Sequence, residues 1–190
     1  MAEHALPFDE LNALEAYISA VFKARDNGIM TAREAEEDII DELLDLYLLA
    51  YENGARYASE TLGEDIPIDR DRMEAAVYEK IAGRDFVERV REYVEDGTVA
   101  DIIRVADTDE TRIYNEGIVD TAEQSDQMVF KRWNTMLDDR VRDTHEYLEG
   151  NIVPLNRAFY TYDGDTAMYP GGFTLPQNNV NCRCVIDLIV

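Results

Sequence analysis

Residues 119–136, Val-Asp-Thr-Ala-Glu-Gln-Ser-Asp-Gln-Met-Val-Phe-Lys-Arg-Trp-Asn-Thr-Met, contain the point at which this chain changes character. Before Ser125-Asp126-Gln127, apolar residues recur at the spacing of helices. After it the pattern shortens to runs that suit strands: Met128 to Met136, Ile152 to Leu155, Phe159 to Tyr162 and Cys184 to Val190. Turn formers separate them, including Asp163-Gly164-Asp165 and Pro170-Gly171-Gly172. The fold expected is α+β: a mainly α-helical N-terminal two-thirds and a small β-containing C-terminal module. The closing run Val185-Ile186-Asp187-Leu188-Ile189-Val190 reads as a buried or edge strand.

Five helices are expected upstream. The first follows Pro7, carries Leu11, Leu14, Ile18, Val21 and Phe22, and stops at Asn27-Gly28. Thr31-Ala-Arg-Glu34 has the form of a capping box and opens a longer helix through Ile39, Ile40, Leu43, Leu46, Tyr47 and Ala50. Gly54 should interrupt that helix and Gly63 end it. A third starts at Pro67 and Asp69, runs through Met73, Val77 and Ile81, and stops at Gly83. Asp85 caps a fourth through Phe86, Val90 and Tyr93 to Gly97. The fifth runs from about Thr98 through Ile102, Val105, Ile113 and Ile118 to about Ala122. Acidic residues crowd the opposite faces, as on solvated helices.

With 41 acidic and 18 basic residues in 190, the chain carries a formal charge of -23. Nucleic-acid affinity comes largely from Lys and Arg neutralising phosphates, so direct binding to DNA or RNA is not expected. Residues 1–100 hold a net -15 and residues 101–190 a net -8, so the C-terminal module is the better balanced. No apolar run is long enough to span a membrane, and Met1-Ala-Glu-His4 lacks the features of a signal peptide. Two cysteines two positions apart make no disulfide framework, which points to synthesis in a reducing cytoplasm.

The densest chemistry lies in Trp133-Asn-Thr-Met-Leu-Asp138-Asp-Arg140-Val-Arg142-Asp-Thr-His145-Glu-Tyr-Leu148-Glu-Gly150 and in Pro176-Gln-Asn-Asn-Val-Asn181-Cys182-Arg183-Cys184. Asp138 and Arg140 suit a tight turn whose unpaired backbone groups they fix. Gly150 suits a position of positive φ, and Asn181 a turn before the last strand. These two stretches resemble the phage Mu F-like head morphogenesis family, also called minor head or minor capsid proteins. The pattern is a Trp, then Asp-x-Arg, a Cys or His, Leu-x-Gly, a Pro-rich turn, and Asn/His-Cys-Arg-Cys before a closing strand. Ala106-Asp107-Thr108-Asp109-Glu110, with Asn115 downstream, resembles the preceding helix of the family, where Arg-Thr-Glu is usual; Asp107 departs from it.

The resemblance also raises a metal site. Some relatives place Cys-x-x-Cys where this chain has Arg142-Asp-Thr-His145, which with Cys-Arg-Cys would give a four-ligand zinc set. Here Arg142 leaves His145, Cys182 and Cys184, so the expectation is no metal and no cofactor. Arg142 would take the metal's place, paired with Asp138 or Asp143, and the motif would be structural. Deaminase chemistry needs His-x-Glu and Pro-Cys-x-x-Cys, and neither spacing is present. A Cys–His dyad remains conceivable, but a buried Cys is commoner as a small hydrophobe. Phosphate-cradling Gly-rich loops and Ser-centred elbows are missing from the sequence. The aromatics Phe159, Tyr160, Tyr162, Tyr169 and Phe173 read as core, with a protein contact surface as the alternative.

The resemblance implies two parts, an acidic helical region 1–98 and a Mu F-like module 99–190. It implies a non-enzymatic head-assembly protein acting with the portal and other capsid or scaffold proteins, influencing DNA packaging or ejection. Its place would be the virion, in the head interior, after synthesis in the host cytoplasm, with an oligomer there compatible with the reading. The alternatives are a head-tail connector or other virion interaction protein, and a zinc- or thiol-dependent enzyme.

Overall fold

A computed structural model of the chain describes residues 8–190, so Met1 to His4 and Pro7 lie outside the described residues. Five helices come first: α1 (Phe8–Asp26), α2 (Ala32–Leu62), α3 (Arg70–Val77), α4 (Phe86–Asp96) and α5 (Val99–Ala122). Their starts are fixed by local chemistry. Thr31 and Glu34 exchange side-chain bonds with each other's backbone N–H groups at 3.2 and 2.7 Å. The same reciprocal box joins Asp85 to Glu88 and Thr98 to Asp101. Gly63, at φ 68°, ends α2 in the left-handed conformation.

Two expectations fail in this half. Gly54 does not interrupt α2. It lies where α2 crosses α5, and a Cβ there would sit 2.1 Å from the Tyr114 carbonyl oxygen. Gly117 of α5 does the same in return, its Cβ position lying 2.5 Å from the Tyr51 carbonyl oxygen. The two glycines let the backbones touch. The third helix also stops early, at Val77, because Ile81 and Arg84 exchange backbone hydrogen bonds across Ala82-Gly83. Both turn residues have positive φ, 51° and 84°, the conformation of a tight hairpin turn.

Helix α5 is the axis of the molecule. All four other long helices pack on it, and from Thr108 to Asn115 every residue is buried. Burial on all sides forces its polar residues to find partners: Arg89 of α4 pairs with Asp109 at 2.5 Å. Arg112 donates to the Ala76 carbonyl and to Glu79 and Glu116, each at 2.8 Å.

The remaining residues form short elements on one side of α5. An antiparallel sheet has the order β2-β1-β5, with β1 (Phe130–Asn134) between β2 (Ile152–Pro154) and β5 (Val185–Ile189). The closing strand β5 is thus an edge strand, and it buries Val185, Ile186 and Leu188. Trp133 on β1 stands opposite Ile186. Strands β3 (Phe159–Tyr160) and β4 (Thr166–Ala167) make a small hairpin around Asp163-Gly164-Asp165. Two four-residue helices, α6 (Asp143–Glu146) and α7 (Pro176–Asn179), complete the module. The architecture is α+β, and one apolar core continues from Leu14 of α1 to Leu188 of β5. No helix among the described residues is long and apolar enough to cross a membrane.

Candidate functional site

The signature residues converge where β1, α6 and the turn before β5 meet. Trp133 is fully buried, and its ring centroid lies 5.1 Å from Phe159, 5.5 Å from His145 and 5.6 Å from Phe173. His145, on α6, stacks on Phe173 at 5.4 Å. Its Nδ1 faces two sulfurs, Cys182 Sγ at 3.6 Å and Cys184 Sγ at 3.4 Å. Residues two apart in extended chain point the same way, so both cysteines turn inward while Arg183 between them turns outward. Both thiols are free and buried.

Arg183 has a defined target. Its two terminal nitrogens donate to the two carboxylate oxygens of Asp138 at 2.8 and 2.7 Å. Asp138 also accepts from the Arg140 backbone N–H at 3.1 Å, which is the turn-fixing role expected of it. The Arg183 guanidinium holds the Asp138 carboxyl down at a pKa of about 2, ahead of the Arg140 N–H bond. Arg140's own side chain is largely exposed and approaches Asp138 at only 3.7 Å.

Arg142 lines the pocket beside His145 and Cys184 but pairs with neither Asp138 nor Asp143. Its guanidinium donates to the carbonyl of Val180, tying the start of α6 to the end of α7. The guanidinium that neutralises Asp138 comes from the other end of the motif. Gly150, at φ 72°, turns the chain into β2, and its N–H donates to the Trp133 carbonyl at 2.9 Å. Asn181, at φ 55°, makes the turn before Cys182, with its N–H donating to the Thr108 hydroxyl at 3.0 Å.

Three further residues matter, of which only Asp165 carries a role in the sequence, as a turn former. Asn115 of α5 donates to the Cys184 carbonyl at 3.1 Å and accepts from the Ile186 N–H at 3.0 Å, so it pins the closing strand. Asp165 accepts from Thr174, Leu175, Asn178 and Thr166 at 2.5 to 3.2 Å. Burial pushes its pKa up, but the bonds from Thr174 and Asn178 outweigh this and leave it lowered. Asn179 brackets Phe173, accepting from its N–H at 2.9 Å and donating to its carbonyl at 2.6 Å. The density of Asp and Asn in a turn-rich stretch was the available signal, but it reads equally as exposed turn chemistry.

Chemically, the centre offers a thiol pair and an imidazole. The Cys184 S–H directed at the Cys182 sulfur, with His145 alongside, holds the Cys182 thiol well below its ordinary range. The same interaction, reinforced by burial, pushes Cys184 up. The imidazole and two sulfurs have ligand atoms within 4.8 Å of one another. Beside them opens a pocket of about 10 Å³, room for one water, lined by Met136, Arg140, Arg142 and Arg183 among others.

The expected aromatic cluster divides. Phe159 and Phe173 are core, whereas Tyr160 and Tyr162 are exposed, and Tyr162 packs edge-on against exposed Tyr147 at 5.9 Å.

Comparison with known proteins adds the family. Residues 70–187 match the model of the family described as Phage Mu protein F like protein. The minor head protein GP7 of Bacillus phage SPP1 is 30% identical over 87 residues, 45% of this chain. The match spans 28% of that relative's length. No solved structure matches significantly. With the family match extending over more than half of its residues and containing the whole Trp133-to-Cys184 motif, this chain belongs to the Phage Mu protein F like family.

Proposed function

We propose that this chain is a minor head protein of a tailed phage, a non-enzymatic component that works by binding other head proteins. The observation that carries this reading is where the signature residues direct their bonds. Asp138, Arg183, Arg142 and Asn181 are joined to one another or to other groups of the same module, and the pocket beside the buried thiols holds no more than a water. A catalytic acid, base or nucleophile needs space for a substrate at hydrogen-bond distance. The name of the SPP1 relative supports the same reading.

In this reading the partners are the portal and neighbouring capsid or scaffold proteins, and the protein resides in the head interior, influencing packaging or ejection of DNA. The division into an acidic region 1–98 and a module 99–190 belongs to the same proposal. The -23 charge suits a protein that must not adhere to packaged DNA. Exposed Tyr147, Tyr160 and Tyr162 supply the residue type favoured at protein interfaces. Cosedimentation of the purified chain with portal rings tests the reading. Co-migration is expected, and failure to bind portal, scaffold and capsid protein alike would overturn it.

A further inference from the structure

We propose that His145 Nδ1 and the sulfurs of Cys182 and Cys184 bind one zinc ion, with a water from the adjoining pocket as fourth ligand. Zinc holds sulfur at about 2.3 Å and nitrogen at about 2.0–2.1 Å in a tetrahedron, so its N and S ligands lie about 3.5–3.6 Å apart. The two N···S distances here are 3.6 and 3.4 Å, and all three donor atoms are within 4.8 Å of one another. Both N···S edges are therefore already spaced as in that tetrahedron, and the two sulfurs lie within 4.8 Å of each other.

What holds them there is independent of any ion. Arg183 locks the outer face of the Cys-Arg-Cys turn onto Asp138. Asn115 fixes the Cys184 carbonyl and the Ile186 N–H. Arg142 anchors α6, which carries His145, to Val180. Outer bonds of this kind orient the ligands of metal sites. The cluster gains little as a mere hydrogen-bonded triad, because thiols are weak donors and weak acceptors.

Nearby guanidinium groups do not oppose the ion. Two thiolates and one divalent cation sum to zero, so Arg142 and Arg183 face a neutral centre. The pocket lined by His145 and Cys184 has a volume of about 10 Å³, which suits a single water. Thiolate and imidazole ligands select zinc over magnesium or calcium, which take oxygen. The ion would tie α6 to the turn that leads into the edge strand β5.

The assignment does not depend on the head-assembly reading and has its own test. The reduced, full-length wild-type chain is titrated anaerobically with Co(II) as a spectroscopic probe, then with Zn(II). The expected result is the visible spectrum of tetrahedral cobalt with a sulfur-to-cobalt charge-transfer band, saturating at one equivalent and displaced by zinc. Cys182→Ser/Cys184→Ser should show no charge-transfer band under the same titration. Zinc should raise the Tm of the wild-type chain and not that of Cys182→Ser/Cys184→Ser. A folded wild-type chain that shows no charge-transfer band, or the same band in Cys182→Ser/Cys184→Ser, overturns the proposal.

Discussion

Asp138 and Arg183, 45 positions apart in the chain, meet through two parallel N–H···O bonds of 2.8 and 2.7 Å. One end of the pair fixes the turn that leads to α6 and His145; the other lies between the two cysteines. The pair therefore joins the two halves of the family motif. It explains why an Asp near the Trp and an Arg between two Cys belong to one pattern.

This pair sets an acid limit on the module. Asp138 titrates at about 2 rather than 3.8, with the Arg183 bond the largest cause. A depressed carboxylate contributes stability that is complete above its unfolded value and is lost as pH falls toward its folded one. Asp138→Asn should lower Tm at pH 7 and flatten the fall in Tm between pH 4 and pH 2. Thermal melts over that range check it, and an unchanged slope would contradict the assignment.

Glu116 sets a limit in the opposite direction. Burial raises its pKa from 4.5 to about 7, against the pull of Arg112. A raised carboxyl favours the folded state most below its unfolded value, and that contribution disappears as pH rises through about 7. Glu116→Gln should reduce the decline in stability between about pH 4.5 and pH 7. Urea melts of both proteins at pH 5 and pH 8 measure it.

The helix crossing should resist even a methyl group. Gly54→Ala and Gly117→Ala each place a Cβ against a carbonyl oxygen, at 2.1 and 2.5 Å. Each should cost about 1–3 kcal/mol by overpacking. Because both separate the same pair of helices, the double variant should cost less than the two single losses added. Chemical denaturation of the three variants tests both points.

The buried Arg89–Asp109 pair gives a contrast of sign. Asp109→Ala strands a guanidinium that is nine-tenths buried and should cost about 3–5 kcal/mol. Arg89→Met/Asp109→Leu should recover most of that, since matched apolar groups leave no charge unpaired. Equal destabilisation of the single and double variants would contradict the argument.

The helical half was legible because its signals are local. The boxes at Thr31, Asp85 and Thr98 and the glycine at 63 mark boundaries within a few residues of sequence. Gly54 was misleading because a glycine that breaks a helix and one that admits a neighbouring helix look alike until the neighbour is known. Ile81 continued the apolar spacing of α3 but belongs to a turn set by Ala82 and Gly83. In the module, the motif located the site but not its wiring. The sequence suggests Arg142, close by, as a partner for Asp138, whereas Asp138 pairs with Arg183. Asp165 reads as a turn former and Asn178 and Asn179 carry no role in the sequence, yet all three are buried hubs. The short α6 and α7 leave no periodicity to detect.

The most direct test of the head-protein reading is quantitative mass spectrometry of gradient-purified procapsids and capsids of the phage that encodes this chain. The expected result is its presence in procapsids at a fixed, low ratio to the portal protein. Its absence from both particles, while the chain accumulates free in the lysate, would contradict the reading.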